Sequence, residues 1–272
     1  MRRCEFCDSP VPADATICPV CKEEIAEEAL ERILPLLRRP DAPDVREMGI
    51  LERLWNVIRR PAAAFRDIGQ RPDAAGPFLI IIANALVVVG LFIALSSKFY
   101  QHVLVNATTD TWADVSVIFL DGGPPILIAG LVSIMPNIML GMVYLFVGSA
   151  FAHVAFKITG GSGNKLRTIS IVGYSMLPVV LFRLIALAFV FIVTLPIEIG
   201  GLGDPEIPAI IGSIFNSSMW LTVDYLTVAA FFWTGFLLIF GIREAHDTST
   251  TWAFLVSLGC MIVLIWTFWQ VH

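Results

Sequence analysis

The spacing of hydrophobic positions changes along this chain and divides it into stretches. From Lys22 to Arg39, Ile25, Ala29, Ile33 and Leu36/Leu37 recur near helical spacing among charged residues. Glu23, Glu24, Glu27 and Glu28 come early in this run and Arg38 and Arg39 late, which complements a helix dipole. A charged helix is expected there, followed by a linker at Pro40 and Pro43. A second amphipathic run puts Ile50, Leu51, Leu54, Trp55 and Ile58 on one helical face, with Glu52, Arg53, Arg59 and Arg60 off it. Asp44-Val45-Arg46-Glu47 reads as a capping box opening this helix. Trp on the apolar side and Arg on the other suit a helix lying in a membrane interface. Packing against the membrane body or a second subunit is the alternative.

Periodicity then vanishes. Five segments, roughly 77–97, 127–156, 170–196, 217–241 and 252–270, are apolar all round. Each reaches the length of about 20 residues that a hydrocarbon core requires. The second is long enough to tilt or protrude. Pro136 and Pro178 predict kinks in the second and third spans. Residues 207–215 read as a short interfacial or re-entrant piece.

Composition agrees. Of 272 residues, 57% are hydrophobic and 15% charged, against about 45–50% and about 25% in soluble domains. A water-soluble globule and a disordered chain are excluded. The net charge of −5 offers no cationic field for a phosphate backbone, so nucleic acid is not an expected partner. Residues 1–76 hold 12 of the 18 basic and 14 of the 23 acidic side chains. A polar head therefore precedes a membrane body.

The remaining charges set the orientation. Loop 157–169 carries Lys157, Lys165 and Arg167 without an acid, loop 242–251 carries Arg243, and Arg59, Arg60, Arg66 and Arg71 precede the first span. Loops 98–125 and 197–207 have only Lys98 against Asp110, Asp114, Asp121, Glu198, Asp204 and Glu206. By the positive-inside rule the head is cytoplasmic, and five spans put the C-terminus outside. An integral membrane protein with the bilayer as its solvent is expected.

Cys4, Cys7, Cys18 and Cys21 form two C-x2-C knuckles ten residues apart. Four thiolates at this spacing complete a tetrahedral Zn2+ shell, and a segment this short needs metal to fold. A pair of disulfides is the competing reading, and would require an oxidising compartment. Because a fourfold thiolate shell leaves no open position, the expected role of the zinc is structural. The fold class expected is an all-α polytopic membrane protein, a five-helix transmembrane bundle with a small N-terminal zinc ribbon. Its organisation reads as ribbon 1–22, cytoplasmic linker and amphipathic helices 23–60, and membrane domain 61–272.

Ionisable groups within spans are functional candidates. Arg183 lies about 20 Å into an outward-running third span and Asp224 about 10 Å into an inward-running fourth, at 1.5 Å per residue. In a core about 30 Å thick these depths nearly coincide, which predicts an intramembrane ion pair. An ion or proton site and a pair that fixes helix register are the two readings. Asn84 and Asn137 suit interhelical hydrogen bonds. The glycine-rich 159–165 loop lacks phosphate-loop spacing and follows a membrane helix. No catalytic constellation of side chains is visible, so no enzyme is expected.

The stretch His153 to Pro178, with Gly160, Gly161, Lys165 and Tyr174 inside it, resembles the central signature of the YIP (Ypt/Rab-interacting protein) membrane family. Arg60-Pro-Ala-Ala-Ala-Phe65-Arg-Asp-Ile68 is similar to that family's lead into the first span, and Gly241-Ile-Arg243-Glu244-Ala-His246 to its link between the last two. The resemblance implies a non-enzymatic five-span protein related to eukaryotic members that bind prenylated Rab/Ypt GTPases in vesicle traffic and membrane organisation. The ribbon resembles those attached to prokaryotic membrane proteins, which implies a prokaryotic plasma membrane. Expected partners are the bilayer, a cytoplasmic protein at the head and, in a homo-oligomer, a second copy. A small transporter, channel or lipid-handling protein using Arg183 and Asp224 is the alternative to a scaffold.

Overall fold

The computed structural model describes residues 2–4, 7, 9–11, 15, 17–23, 33, 34, 37, 47–106, 108–120, 123–158, 164–193, 197–199, 207–246 and 248–271. The charged helix expected over residues 22–39 lies largely outside them. A two-stranded hairpin opens the chain, with β1 (Arg2–Arg3) antiparallel to β2 (Pro10–Val11). Helix α1 (Ile50–Arg59) and helix α2 (Pro61–Gln70) follow. Pro61 sits in the first turn of α2, where its missing N–H leaves no bond unmade, so the chain breaks at Arg60 and restarts.

The predicted capping box does not open α1. The helix begins at Ile50 with Gly49 as N-cap and no side-chain cap bond. Glu47 is instead paired with Arg71 at 2.7 Å. A full positive charge draws the carboxylate more strongly than a backbone N–H does.

Among the described residues, five helices are long and apolar enough to cross a membrane: Ala75–Ser96, Pro124–Ala155, Lys165–Ile192, Ser218–Glu244 and Thr250–Gln270. The first and last correspond to α3 (Ala75–Ser96) and a final helix, Thr250–Val271. The second and third are each broken near their prolines. The second consists of α4 (Gly123–Val132) and α5 (Ile134–Ile158); the third of α6 (Lys165–Ser175) and α7 (Leu177–Ile192). Pro136 and Pro178 lack the N–H that would bond the carbonyls of Val132 and Tyr174, so the interruptions fall just upstream of each ring. The third span starts earlier than its apolar run because the Asn164 side chain caps it, accepting the Arg167 N–H at 2.8 Å.

The segment between the first two spans holds strands that span counting does not anticipate. β3 (Phe99–Asn106) pairs antiparallel with β4 (Thr111–Ser116), and β5 (Ile197–Glu198) joins β3 in parallel, giving the order β4-β3-β5. Asp110 turns the hairpin with φ 44°. Across the pair His102 meets Asp114 at 2.6 Å and stacks on Trp112. Residues 207–215 form a short helix, α8 (Ile207–Phe215), and the fourth span belongs to α9 (Ser218–His246); the last helix is α10.

Two compact units share these elements: Met1–Ile80 with Met142–Pro178 and Phe231–His272, and Ile81–Gly141 with Val179–Ala230. In the first, Val57, Phe65, Ile68, Ile171, Tyr174, Leu237 and Phe240 are buried, with α1, α2 and α6 packed together. In the second, Ala94, Ala186, Val190 and Val223 form the buried cluster with Leu91, Leu187, Phe189 and Leu226 around it. The second and fifth spans expose most of their apolar side chains, among them Met135, Met139, Val147, Ile262 and Trp266, as lipid-facing helices do.

Candidate functional site

The N-terminal knuckles converge. The hairpin β1–β2 and the Cys4 N–H, which donates to the Ser9 carbonyl at 3.0 Å, fold the first knuckle. In the second, Lys22 N–H donates to the Cys18 carbonyl at 2.9 Å with Lys22 in the left-handed region. Val11 is buried between Cys4 and Cys18. Cys4 and Cys21 Sγ lie 3.5 Å apart and Cys7 and Cys18 Sγ 3.6 Å apart, and all four sulfurs fall within 4.8 Å of one another. A tetrahedron with metal–sulfur bonds of about 2.3 Å has edges of about 3.8 Å, whereas a disulfide needs about 2.05 Å. All four cysteines are free. The donor set and its spacing can therefore hold a metal ion. Hydrogen bonds from the Ser9 side chain and backbone pull the Cys7 thiol down to about 6. The Glu23 backbone favours the Cys21 thiolate, but burial and the neighbouring sulfurs push that thiol up to about 12.

A second cluster lies where α1, α2 and α6 meet the start of the first span. Arg53, on the polar side of α1, is buried. Its Nε donates to Asp67 Oδ2 at 2.7 Å, and its Nη1 donates to Asp73 Oδ2. Asp67 is completely buried on α2, its other oxygen 3.8 Å from Arg71 Nε. Asp73 caps the first span by accepting the Gly76 N–H at 2.8 Å. The hydroxyl of Tyr174 donates to Asp73 Oδ2 at 3.0 Å, and Ser170 Oγ donates to the Asp73 carbonyl at 2.6 Å. Burial opposes the Arg53 charge, but the Asp67 hydrogen bond and charge, with Tyr174 and Asp73, raise its pKa above the usual arginine value. A Cβ at Gly76 would fall 2.0 Å from the Tyr174 hydroxyl, so the close approach of the span to Tyr174 requires glycine.

A third cluster surrounds Arg243, also completely buried. Its Nη1 donates to the Leu37 carbonyl and to Thr250 Oγ1, the latter at 3.4 Å, while Nε and Nη2 reach Glu244 Oε1 at 3.3 and 3.2 Å. Arg66 Nε on α2 meets Glu244 Oε2 at 3.4 Å. The Arg243 guanidinium also lies 5.6 Å from the centre of the Phe240 ring. Arg243 thus ties the linker residue Leu37 to the junction of the last two spans. A Cβ at Gly241 would meet Ile171 at 2.2 Å, so glycine also permits the approach of α9 to α6.

Other anticipated residues take lesser roles. His153 Nδ1 is 3.1 Å from Thr168 Oγ1 and links α5 to α6. Lys165 begins α6 and is exposed; Pro178 interrupts the third span. Gly160 and Gly161 lie outside the described residues, as does the side chain of His246. In the second unit Arg183 Nη1 donates to Asn84 Oδ1 at 2.7 Å, the interhelical bond expected of Asn84. Asn137 instead bonds the Ser133 carbonyl of its own chain segment at 2.8 Å. Asp224 is buried on α9 beside Val223 of the apolar cluster.

Asp67 and Asp73 were not singled out by sequence, and Arg53 was assigned only to the polar side of α1. One local signal points to Asp73: an Asp three residues before Gly76, just ahead of a span, is a helix cap. Nothing local marks Asp67, whose partners lie 14 residues away in Arg53 and at i+4 in Arg71.

No curated protein and no solved structure matches the chain. A family model described as the Yip1 domain matches residues 55–271, a range containing α2, all five spans, Tyr174 and Arg243. On that match, over most of its length, the chain belongs to the Yip1-domain family of membrane proteins.

Proposed function

We propose that this protein is a non-enzymatic membrane scaffold or adaptor, with a cytoplasmic head held by structural Zn2+ and a five-span body in a prokaryotic plasma membrane. The observation that carries the reading is the attachment of the head segments: Arg53 of α1 is locked to Asp67 and Asp73, and the Leu37 carbonyl to Arg243. A head fixed to its membrane body at two buried arginines presents a recruited protein at a defined place on the bilayer. Cys4, Cys7, Cys18 and Cys21 fit zinc, since an all-thiolate set suits that ion; its chemistry here is to hold the ribbon folded. The basic loop residues Lys157, Lys165 and Arg167 support a head on the inside by charge bias. The test is crosslinked capture from native membranes with wild type and Cys4→Ser/Cys18→Ser. A recruiting head loses a defined set of partners in the variant, and retention of every partner overturns the reading.

Within the second unit, Arg183 and Asp224 are assigned as a buried pair fixing the register of the third and fourth spans. Val223, beside Asp224, packs with Ala186 and Val190 of the helix that carries Arg183, which supports the assignment. Arg183→Asp/Asp224→Arg restoring the folding lost in either single variant supports the pair, and failure of the exchange removes it.

A further inference from the structure

We propose that α1 lies on the membrane surface, with Leu51 and Trp55 immersed in the headgroup region of an anionic leaflet. This does not depend on the adaptor reading, because it uses only the helix and the first span. In a helix that packs by its apolar stripe, the hydrophobic positions are covered and the charges face water. In α1 the order is inverted. Leu51 is 75% exposed and Trp55 63% exposed, with Ile50 exposed beside them, while Arg53 is only 6% exposed and Val57 is fully buried. The protein therefore holds the helix by Arg53 and Val57, one turn apart, and turns Ile50, Leu51 and Trp55 of the apolar stripe outward, with Leu54 and Ile58 half-buried.

The location of that stripe follows from Arg53. Its guanidinium bonds Asp73, and the same carboxylate caps the first span at Gly76. Arg53 and Asp73 consequently tie α1 to the first turn of a helix long and apolar enough to enter the membrane. An outward apolar stripe there meets the boundary between headgroups and acyl chains. Tryptophan suits this layer, having an apolar body and a polar N–H. Arg59 lies with its guanidinium 5.5 Å from the Trp55 ring centre, and Arg59 and Arg60 are both exposed at the end of the helix. These two cations flank the stripe; of the acids nearby, Glu47 is paired with Arg71 and Glu52, on the same helix, is half-buried. Charge complementarity thus selects an anionic phospholipid surface as the occupant.

The experiment uses full-length protein reconstituted into vesicles of phosphatidylcholine with and without phosphatidylglycerol. Trp55→Phe is compared with wild type, so that the fluorescence difference isolates Trp55 from the other six tryptophans. Lipids brominated near the top of the acyl chain are expected to quench the Trp55 component about twofold or more above aqueous acrylamide, and its emission to shift further to the blue in the anionic vesicles. Quenching chiefly by acrylamide places Trp55 in water and overturns the proposal. Shielding from both quenchers assigns the stripe to a protein partner or a second copy and also overturns it. An emission identical in the two vesicle types removes the anionic lipid as occupant. Because Trp55 is exposed and Phe conserves its ring, both proteins are expected to elute identically in detergent, and Leu51→Asp supplies a second reading by reducing the lipid quenching of Trp55.

Discussion

The first unit buries Arg53, Asp67 and Arg243 and ties each to named partners, whereas the charges of the second unit mostly stay near the surface, with Asp110 exposed in its hairpin turn and Asp114 and Glu198 exposed on its strands. Among the described residues, Ser96 and Asp224 are the buried polar residues of the second unit; the rest, from Arg53 to Ser257, belong to the first. Tyr174, Arg243 and Glu244, which lie in the stretches that resemble the family's motifs, also sit in the first unit. A motif in a membrane protein can thus record how the ends of its helices are joined, rather than a site for a ligand. Lipid cannot satisfy a buried guanidinium, so each such group demands a particular partner in a particular place, while an apolar cluster such as Ala94, Ala186, Val190 and Val223 accepts many arrangements.

This contrast can be broken in graded steps. The largest effect is expected at the proposed zinc site: metal binding contributes on the order of 10 kcal/mol to the folding of short zinc-dependent segments. Cys4→Ser/Cys18→Ser should reduce bound zinc to background by metal analysis, and limited proteolysis should then cut the head while sparing the spans. Next, Asp67→Ala leaves the buried Arg53 with Asp73 as its remaining carboxylate and its Nε without an acceptor, and should cost about 2–4 kcal/mol in detergent unfolding. Replacing Arg53 and Asp67 together by Met and Leu should recover most of that loss, because the buried guanidinium is gone and Asp73 keeps the Tyr174 hydroxyl and the Gly76 N–H. Gly241→Ala forces Ile171 aside and should cost about 1–3 kcal/mol, while Gly259→Ala, with no atom within 4 Å of its Cβ, should be neutral or stabilising. In the second unit Asn84→Ala removes one hydrogen bond from Arg183 and should cost about 1 kcal/mol, read as a small fall in unfolding midpoint. The smallest change is expected for His102→Ala on the exposed strand pair, within about 0.5 kcal/mol despite its contact with Asp114. A loss at His102 as large as that at Asp67 would erase the distinction between the units.

The five spans were legible because length and apolarity are properties of contiguous sequence. The cysteine cluster was legible for a similar reason, since two short knuckles reproduce most of the donor geometry locally. The start of α1 was misread at Asp44–Glu47 because a capping box competes with any nearby cation, and Arg71 is distant in sequence. The β3–β4 pair was hidden behind a few alternating positions, such as Gln101, Val103 and Val105, that a search for spans passes over.

By itself the sequence determined the membrane class, the number of spans, the breaks at Pro136 and Pro178, and the four sulfur donors. Each depends on residues close together in the chain, where periodicity, ring geometry or knuckle spacing acts locally. Only the tertiary structure decided that Arg53 faces inward and Leu51 and Trp55 outward, that Asp73 serves both a helix cap and a buried arginine, and that Arg243 holds the carbonyl of Leu37. Those outcomes depend on where an opposite charge or an open carbonyl becomes available after the chain has folded. A buried charge takes the partner that offsets its desolvation, whatever the helical face on which it began.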